Sequence, residues 1–186
     1  MIRIIAGRLK GRKIPVVKKS NYRPSTSRLK EAIFSILISS FNNHSLLSQA
    51  KVLDLFTGSG NLAFEALSRG VKHVTLIDNN LKHLNAIRTY AIRVNENDKM
   101  TFLKLDATNL PIAPYSYNIV FIDPPFYNNL INKTLLSLYK KRWLENGAIL
   151  FIESEKYNKL ELPAHFHLQE ERIYGKSKLA ILYYLK

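Results

Sequence analysis

VLDLFTGSGNLAFEALSRG, residues 52–70, decides how the chain is read. An apolar run, Val52 to Phe56, ends in a glycine-rich turn, and the chain then reopens as a helix closed by Gly70. Gly58-Ser59-Gly60-Asn61-Leu62-Ala63 satisfies G-x-G-x-x-G/A, a turn whose missing side chains let backbone approach a ligand closely. Taken alone this pattern also fits a nicotinamide dinucleotide site, or a tight strand-to-helix turn that holds nothing.

The pattern repeats on either side. HVTLID (73–78) is a second strand, and residues 80–94 place Leu81, Leu84, Ile87, Ala91 and Val94 on one helical stripe. TFLKLDA (101–107) and YNIVFID (117–123) read as the third and fourth strands, residues 129–142 as a helix, and AILFIES (148–154) as the fifth strand. FHLQEERIYG and KLAILYYLK read as a closing hairpin around Gly175-Lys176 that adds an antiparallel edge. Alternating strands and helices predict right-handed crossovers and a parallel sheet buried on both faces. Ahead of this unit, RIIAG (3–7) and GRKIPV (11–16) predict a hairpin turning near Leu9-Lys10. Next, Pro24 and a Ser/Thr cluster cap a helix whose stripe is Leu29, Ile33, Ile36, Leu37 and Phe41. The chain divides as a basic arm, residues 1–24, and a main domain, residues 25–186.

In an open sheet of this kind ligands bind at the carboxyl ends of the strands. Three aspartates are read there. Asp78 ends the second strand, 20 residues after Gly58, where a carboxylate holds ribose hydroxyls. Asp106 ends the third, within reach of an adenine amine. Asp54 lies inside the first strand, where a buried carboxylate needs a hydrogen-bonding or charged partner. Ribose, adenine and a cationic group together describe S-adenosyl-L-methionine. Each acid singly is as well explained by a cap or a surface position; their joint placement points to a ligand.

The fourth strand stops on Asp123-Pro124-Pro125-Phe126. Two prolines continue neither a strand nor a helix. They stiffen a turn, and a stiff turn keeps the Asp123 carboxylate and the Pro124 carbonyl in place. Two such acceptors, aimed at the N–H bonds of an exocyclic base amine, direct its lone pair at a methyl donor. Phe126 offers a face for an unpaired base. An ordinary Pro-Pro turn is the bland alternative.

Composition narrows the partner. The 186 residues carry 28 Lys+Arg against 14 Asp+Glu, a net charge of +14. Ten of the basic residues and none of the acidic ones fall in residues 1–30, which leaves 18 against 14 for the rest. A concentrated basic segment attracts polyanions, with nucleic acid the default. There are no cysteines, which removes disulfides, thiolate metal sites and thiolate nucleophiles. With no apolar run near the roughly 20 residues of a membrane span and no apolar stretch behind the basic N-terminus, a cytoplasmic protein is expected. His44, His73, His83, His165 and His167 share no metal-ligand spacing, Trp143 is expected in the core, and Glu153 and Glu155 receive no role.

The chain resembles the RsmD-type small-subunit (16S) ribosomal RNA guanine-N2 methyltransferases, within the amino-methyltransferases marked by (D/N)PP(Y/F). The resemblance runs nearly end to end through RIIAGRLKGRKIPV, RPSTSRLKEAIFSIL, LDLFTGSGNLAFEALSRG, VTLIDNN, NIVFIDPPF and FIESE. It implies a Rossmann-like class I methyltransferase with a mostly parallel seven-stranded sheet, an antiparallel C-terminal hairpin, and a small basic N-terminal hairpin and helix. It also implies S-adenosylmethionine at Asp54, Phe56, Thr57, Gly58, Ser59, Gly60, Asp78, Asn79, Asp106 and Ala107, and a target amine at Asp123, Pro124, Pro125 and Phe126. Ribosomal RNA, in the small subunit or an assembly intermediate, would be gripped by Arg3, Arg8, Lys10, Arg12, Lys13, Arg23 and Arg28. A monomer without metal is expected. The sequence departs from the family pattern at Asp78, where glutamate is usual, at Thr57, and at Asn61 to Phe64. Adenine-N6 methylation and a non-catalytic ribosome-assembly role are the alternatives; the intact DPPF and the strand-end acids favour the enzyme.

Overall fold

The computed structural model describes residues 2–15, 27–40, 47–125 and 129–186. Among these, seven strands form one sheet: β3 (Lys51–Leu55), β4 (His73–Asp78), β5 (Met100–Lys104), β6 (Tyr117–Ile122), β7 (Leu144–Glu155), β8 (Phe166–Tyr174) and β9 (Ser177–Tyr184). Their order is β5-β4-β3-β6-β7-β9-β8. The first five are parallel, and β9 runs antiparallel to both β7 and β8. The expected hairpin therefore forms, with its second strand inside the sheet and β8 at the edge. β8 presents Glu170, Glu171 and Arg172 there, a charged strand that resists further pairing.

Strict alternation sorts the strand residues onto two cores. Val52, Val74, Leu76, Ile119, Phe121, Ile149 and Phe151 face α1 (Ser27–Ser40), α2 (Asn61–Ser68) and α3 (Leu81–Arg93). Leu53, Leu55, Ile77, Val120, Ile122, Leu150 and Ile152 face α4 (Leu130–Lys140) and the stacked rings of Tyr117 and Trp143. Trp143 is in the core as expected, its indole N–H donating to the Pro111 carbonyl at 2.8 Å. Of the α1 stripe, Leu29, Ile33 and Leu37 are buried. Phe41 and the Pro24 cap lie outside the described residues. In α3, Asn80 caps the helix by accepting from the Lys82 amide, and Leu81, expected on the stripe, is exposed.

The N-terminal hairpin is tighter than expected. Its ladder is two residues long, β1 (Ile2–Arg3) against β2 (Lys13–Ile14). The segment between them closes on itself through Ile4, which bonds the Arg12 carbonyl (3.0 Å) and the Gly11 amide (2.8 Å), and its tip docks on the C-terminal turn of α2. The amides of Arg8 and Leu9 donate to the Ser68 carbonyl (2.8 Å) and hydroxyl (2.9 Å), and Ser68 Oγ donates to the Ala6 carbonyl. Gly7 makes this approach possible: at φ +77° it sits so close that a Cβ would lie 1.9 Å from the Ser68 carbonyl oxygen. Ile2, Ile4, Leu9 and Ile14 join the core of α1 and α2. Each contributes roughly 1.5–3 kcal/mol of burial, an upper estimate. The boundary expected between residues 24 and 25 lies outside the described residues.

A buried ionic cluster locks the same junction. Lys30, 1% exposed, donates to the Arg3 carbonyl (2.9 Å), Asn61 Oδ1 (3.1 Å) and Glu65 Oε1 (3.1 Å). Glu65 Oε1 also accepts from the Ile5 amide at 2.7 Å, and Glu65 Oε2 pairs with Arg69. The Arg69 guanidinium lies over the Phe34 ring, 4.3 Å from its centroid. One carboxylate thus ties hairpin, α1 and α2 together.

Candidate active site

From β3 the sheet extends through β4 and β5 on one side and through β6 and β7 on the other, so the end of β3 is the switch point where such sheets bind ligands. The glycine turn leaves β3 there. Phe56 (φ +58°), Gly58 (φ +52°) and Gly60 (φ +71°) all adopt the left-handed region. For phenylalanine that conformation costs on the order of 1 kcal/mol, the kind of strain that collects at binding sites. At Gly60 a Cβ would lie 3.1 Å from two Ile87 carbons, so the turn nests against α3.

The strand-end acids are wired into this turn. Asp54 is buried, and its Oδ2 accepts from the Thr57 hydroxyl at 2.8 Å. Burial pushes its carboxyl up to about 7; the Thr57 and Ala63 hydrogen bonds pull the other way, and Asp78 adds a repulsion. Asp78 Oδ2 accepts from the Gly58 amide at 2.9 Å and its Oδ1 from the Asn80 amide at 2.8 Å. His83 Nδ1 lies 3.1 Å from Asp78 Oδ2, so a histidine without an expected role braces the ribose candidate. Asn79 is exposed beside it. Ser59 Oγ is buried and has no hydrogen-bond partner among the described residues. Asp106 lies two residues beyond β5 rather than ending it. It is exposed and accepts from the amide (2.9 Å) and hydroxyl (2.7 Å) of Thr108, and Ala107 is buried next to it.

Asp123, half-buried, follows β6 directly; Pro124 is buried and Pro125 exposed. Phe126 lies outside the described residues. A pocket of about 460 Å³ opens on the far side of this turn from the glycine loop. Pro124 and Pro125 form one wall, α4 contributes Asn132, and the segment leaving β7 contributes Glu155, Tyr157 and Asn158. The two glutamates of FIESE separate here. Glu155 lines the pocket, while Glu153 is 6% exposed, with its Oε2 unpartnered among the described residues. Ile122 pairs with Ile152, so the register carried one residue further sets Glu153 beside Asp123, on the face of Phe121 and Phe151.

The basic residues divide too. Arg3, Lys10, Arg12, Lys13 and Arg28 are exposed, and Arg23 lies outside the described residues. Arg8 makes a two-pronged ion pair with Glu96, its side chain still 43% exposed. Burial pushes the Glu96 carboxyl up, but hydrogen bonds and charge from Arg8, then Lys99, hold it below the usual range. Glu65, Glu96 and His83 carry no local sequence signal as partners, and Lys30, one of the ten basic residues of the N-terminal segment, is buried. Among the described residues no cluster of three or more metal-ligating side chains occurs, and no helix is long and apolar enough to cross a membrane.

The family described as Conserved hypothetical protein 95 matches residues 2–183. The chain belongs to this family. Ribosomal RNA small subunit methyltransferase D of Escherichia coli (strain K12) is 36% identical, over 94% of this chain and 86% of that protein. The protein of that name from Haemophilus influenzae is 34% identical, over 94% and 89%. A solved Escherichia coli structure described as a methyltransferase superposes with a TM-score of 0.83 at 31% identity, covering 99% of this chain and 98% of that one. A Haemophilus influenzae methylase structure gives 0.80 at 28%, covering 100% and 99%. The fold is thus the Rossmann-like one of class I methyltransferases, and the chain is a methyltransferase.

Proposed function

We propose that this chain transfers a methyl group from S-adenosylmethionine to the exocyclic N2 amine of a guanine in small-subunit ribosomal RNA. The observation that carries the reading is the pairing, at one switch point, of the glycine turn with the Asp123-Pro124-Pro125 turn on the adjacent strand. The end-to-end relatives named as ribosomal RNA small subunit methyltransferases support the substrate class.

Support for the cofactor lies in what the turn leaves open. Ser59 Oγ is a buried polar atom without a partner among the described residues, and Asp54 is a carboxyl that burial pushes up to about 7, a site where a cation would favour the ionised form. Asp78, wired to the Gly58 amide, would present its remaining acceptor capacity to a ribose. Asp106 and Ala107 would flank the adenine. When bound, S-adenosylmethionine supplies the methyl group on an activated sulfonium. The chain's own part is orientation. The Asp123 carboxylate and Pro124 carbonyl would accept from the two amine N–H bonds, which turns the nitrogen lone pair toward the donor, and Phe126 would stack the base. Lys10, Arg12, Lys13 and neighbouring cations would hold phosphates, which position the RNA without identifying the base.

Asp123→Ala tests the assignment. Methyl transfer to small subunits should fall by at least about 100-fold, the scale of losing a preorganised acceptor, while S-adenosylmethionine and RNA affinities stay within about threefold of wild type. A variant that methylates at near wild-type rate would refute it.

A further inference from the structure

We propose that the last turn of α3 carries a further phosphate-binding site, centred on Arg93, so that RNA leaving the active site runs along the hairpin to the opposite edge of the sheet. This deepens the function proposed above and rests on its RNA substrate.

The path follows from the elements. α2 and α3 start at the carboxyl ends of β3 and β4, beside the cofactor turn, and finish at the opposite edge, where β4 and β5 begin. The hairpin lies along α2 in the same sense. Its ladder reaches the first turns of α1 and α2, where Lys30 holds both the Arg3 carbonyl and Asn61. Its tip reaches the last residue of α2, where the Arg8 and Leu9 amides meet Ser68. Arg8 then bridges to Glu96, in the turn after α3. Hairpin and α3 end therefore form one continuous surface. α3 has 13 residues, a length of about 20 Å at 1.5 Å per residue. A site at its end is remote from the base being modified, so it meets the backbone of the RNA and positions it without reading sequence.

The charge of this surface is not balanced from within. α3 contains no acidic residue. Glu96, the buried acid of the junction, is taken by Arg8 and by Lys99 at 3.3 Å, whose side chains stay 43% and 44% exposed. Asp98 is the exposed acid nearby. Five cations, Arg8, Lys10, Arg12, Arg93 and Lys99, thus stand against two acids. Arg12 and Arg93 are exposed, and among the described residues neither forms an ion pair. Both nevertheless act on one phenol. The Arg93 guanidinium lies 5.2 Å from the centroid of the Tyr90 ring. Burial raises the pKa of that phenol, and the charges of Arg12 and Arg93 oppose the rise. Tyr90 is itself buried, packed edge-on against Phe64 of α2 at 5.0 Å, so what lies under Arg93 is fixed by the core. Two guanidinium groups gathered at one ring repel each other, and a phosphate between them replaces the repulsion by charge-assisted hydrogen bonds. The hairpin cations continue this surface toward the active site, which makes the anion an RNA backbone rather than a lone ion.

The test is the slope of log K against log salt concentration for binding to small-subunit ribosomal RNA. Arg93→Ala should lower the slope by about 1, the loss of one phosphate contact. Arg93→Lys keeps the charge and should keep the slope. Lys140→Ala removes an exposed cation from the last turn of α4, on the other face of the sheet, and should leave the slope at its wild-type value. An unchanged slope in Arg93→Ala would overturn the site. So would an equal loss in Arg93→Lys, or an equal loss in Lys140→Ala, which would make net charge the cause. Replacing Lys10, Arg12 and Lys13 together by Ala separates this inference from the function proposed above. A slope lowered there and kept in Arg93→Ala removes the α3 site alone. Wild-type affinity that does not vary with salt removes the RNA reading, and this inference with it.

Discussion

Glu65 joins three elements through one carboxylate, and its replacement gives a magnitude that the structure fixes. Glu65→Gln keeps the shape and removes the charge. Two cations then lose their counter-ion: Lys30, whose side chain is 2% exposed, and Arg69, at 9%. Breaking a buried pair in this way costs about 3–5 kcal/mol. The surroundings argue for the lower end. Lys30 keeps the Arg3 carbonyl at 2.9 Å and Asn61 Oδ1 at 3.1 Å, and Arg69 keeps the Phe34 face. At about 3 kcal/mol, and about 2–4 °C per kcal/mol for a domain of this size, Tm should fall by about 6–12 °C. Thermal unfolding followed by circular dichroism measures this. The Ile5 amide also loses a charged acceptor, so amide exchange in residues 4–9 should accelerate more than in β3 to β6. Replacing Lys30 by Met in the same chain removes one stranded cation, and the double variant should be less destabilised than the sum of the singles by about 1 kcal/mol or more. A drop in Tm below about 3 °C for Glu65→Gln, with additive singles, would refute the reasoning.

Asp54 makes stability and cofactor binding pH-dependent. Its native pKa near 7 lies above the ordinary 3.8, so between those values the folded chain holds a proton that the unfolded chain has released. Its contribution is therefore present below about pH 4 and is lost as pH rises to about 7; Asp54→Asn should remove that slope in urea unfolding series. Binding of cationic S-adenosylmethionine draws on the ionised carboxylate, so calorimetric affinity should rise from pH 6 to 8 in wild type and stay flat in Asp54→Asn. A flat wild-type profile would contradict the placing of a cation at Asp54. On the hairpin, replacing Lys10, Arg12 and Lys13 together by Ala should weaken RNA binding and lower the salt slope of log K by about 2–3. An unchanged slope would sink the role of these exposed cations. Arg8 is left out of that set because its loss also strands the buried Glu96.

Much of this was legible in the sequence, for a physical reason. β3, β4, β6 and most of β7 are short apolar runs buried on both faces, and the turns between them carry the glycines and acids that bind ligands. The Asp54, Asp78 and Asp123 positions follow from such local signals. What was not legible depends on partners far along the chain. Lys30 reads as one more cation of a basic segment until Glu65, 35 residues on, supplies its charge. Arg8 reads as a phosphate contact until Glu96 meets it. His83 gains its role only because α3 turns it back toward Asp78. RIIAG and GRKIPV have strand-like composition, yet past Ile4 the Ile5 amide turns to Glu65 and the Ala6 carbonyl to Ser68 rather than to the opposite strand, so the ladder stays short. β7 begins four residues before the expected Ala148 because Leu144 pairs with Tyr117 across a register shift, which Glu145, Asn146 and Gly147 disguise as a loop.

The most direct test of the account is the identity of the methylated nucleoside. Small subunits lacking the modification are incubated with the purified chain and labelled S-adenosylmethionine, and their RNA is digested to nucleosides. The account predicts label in N2-methylguanosine alone, abolished by Asp123→Ala. Label in N6-methyladenosine, or cofactor binding without label on any small-subunit RNA, would contradict it.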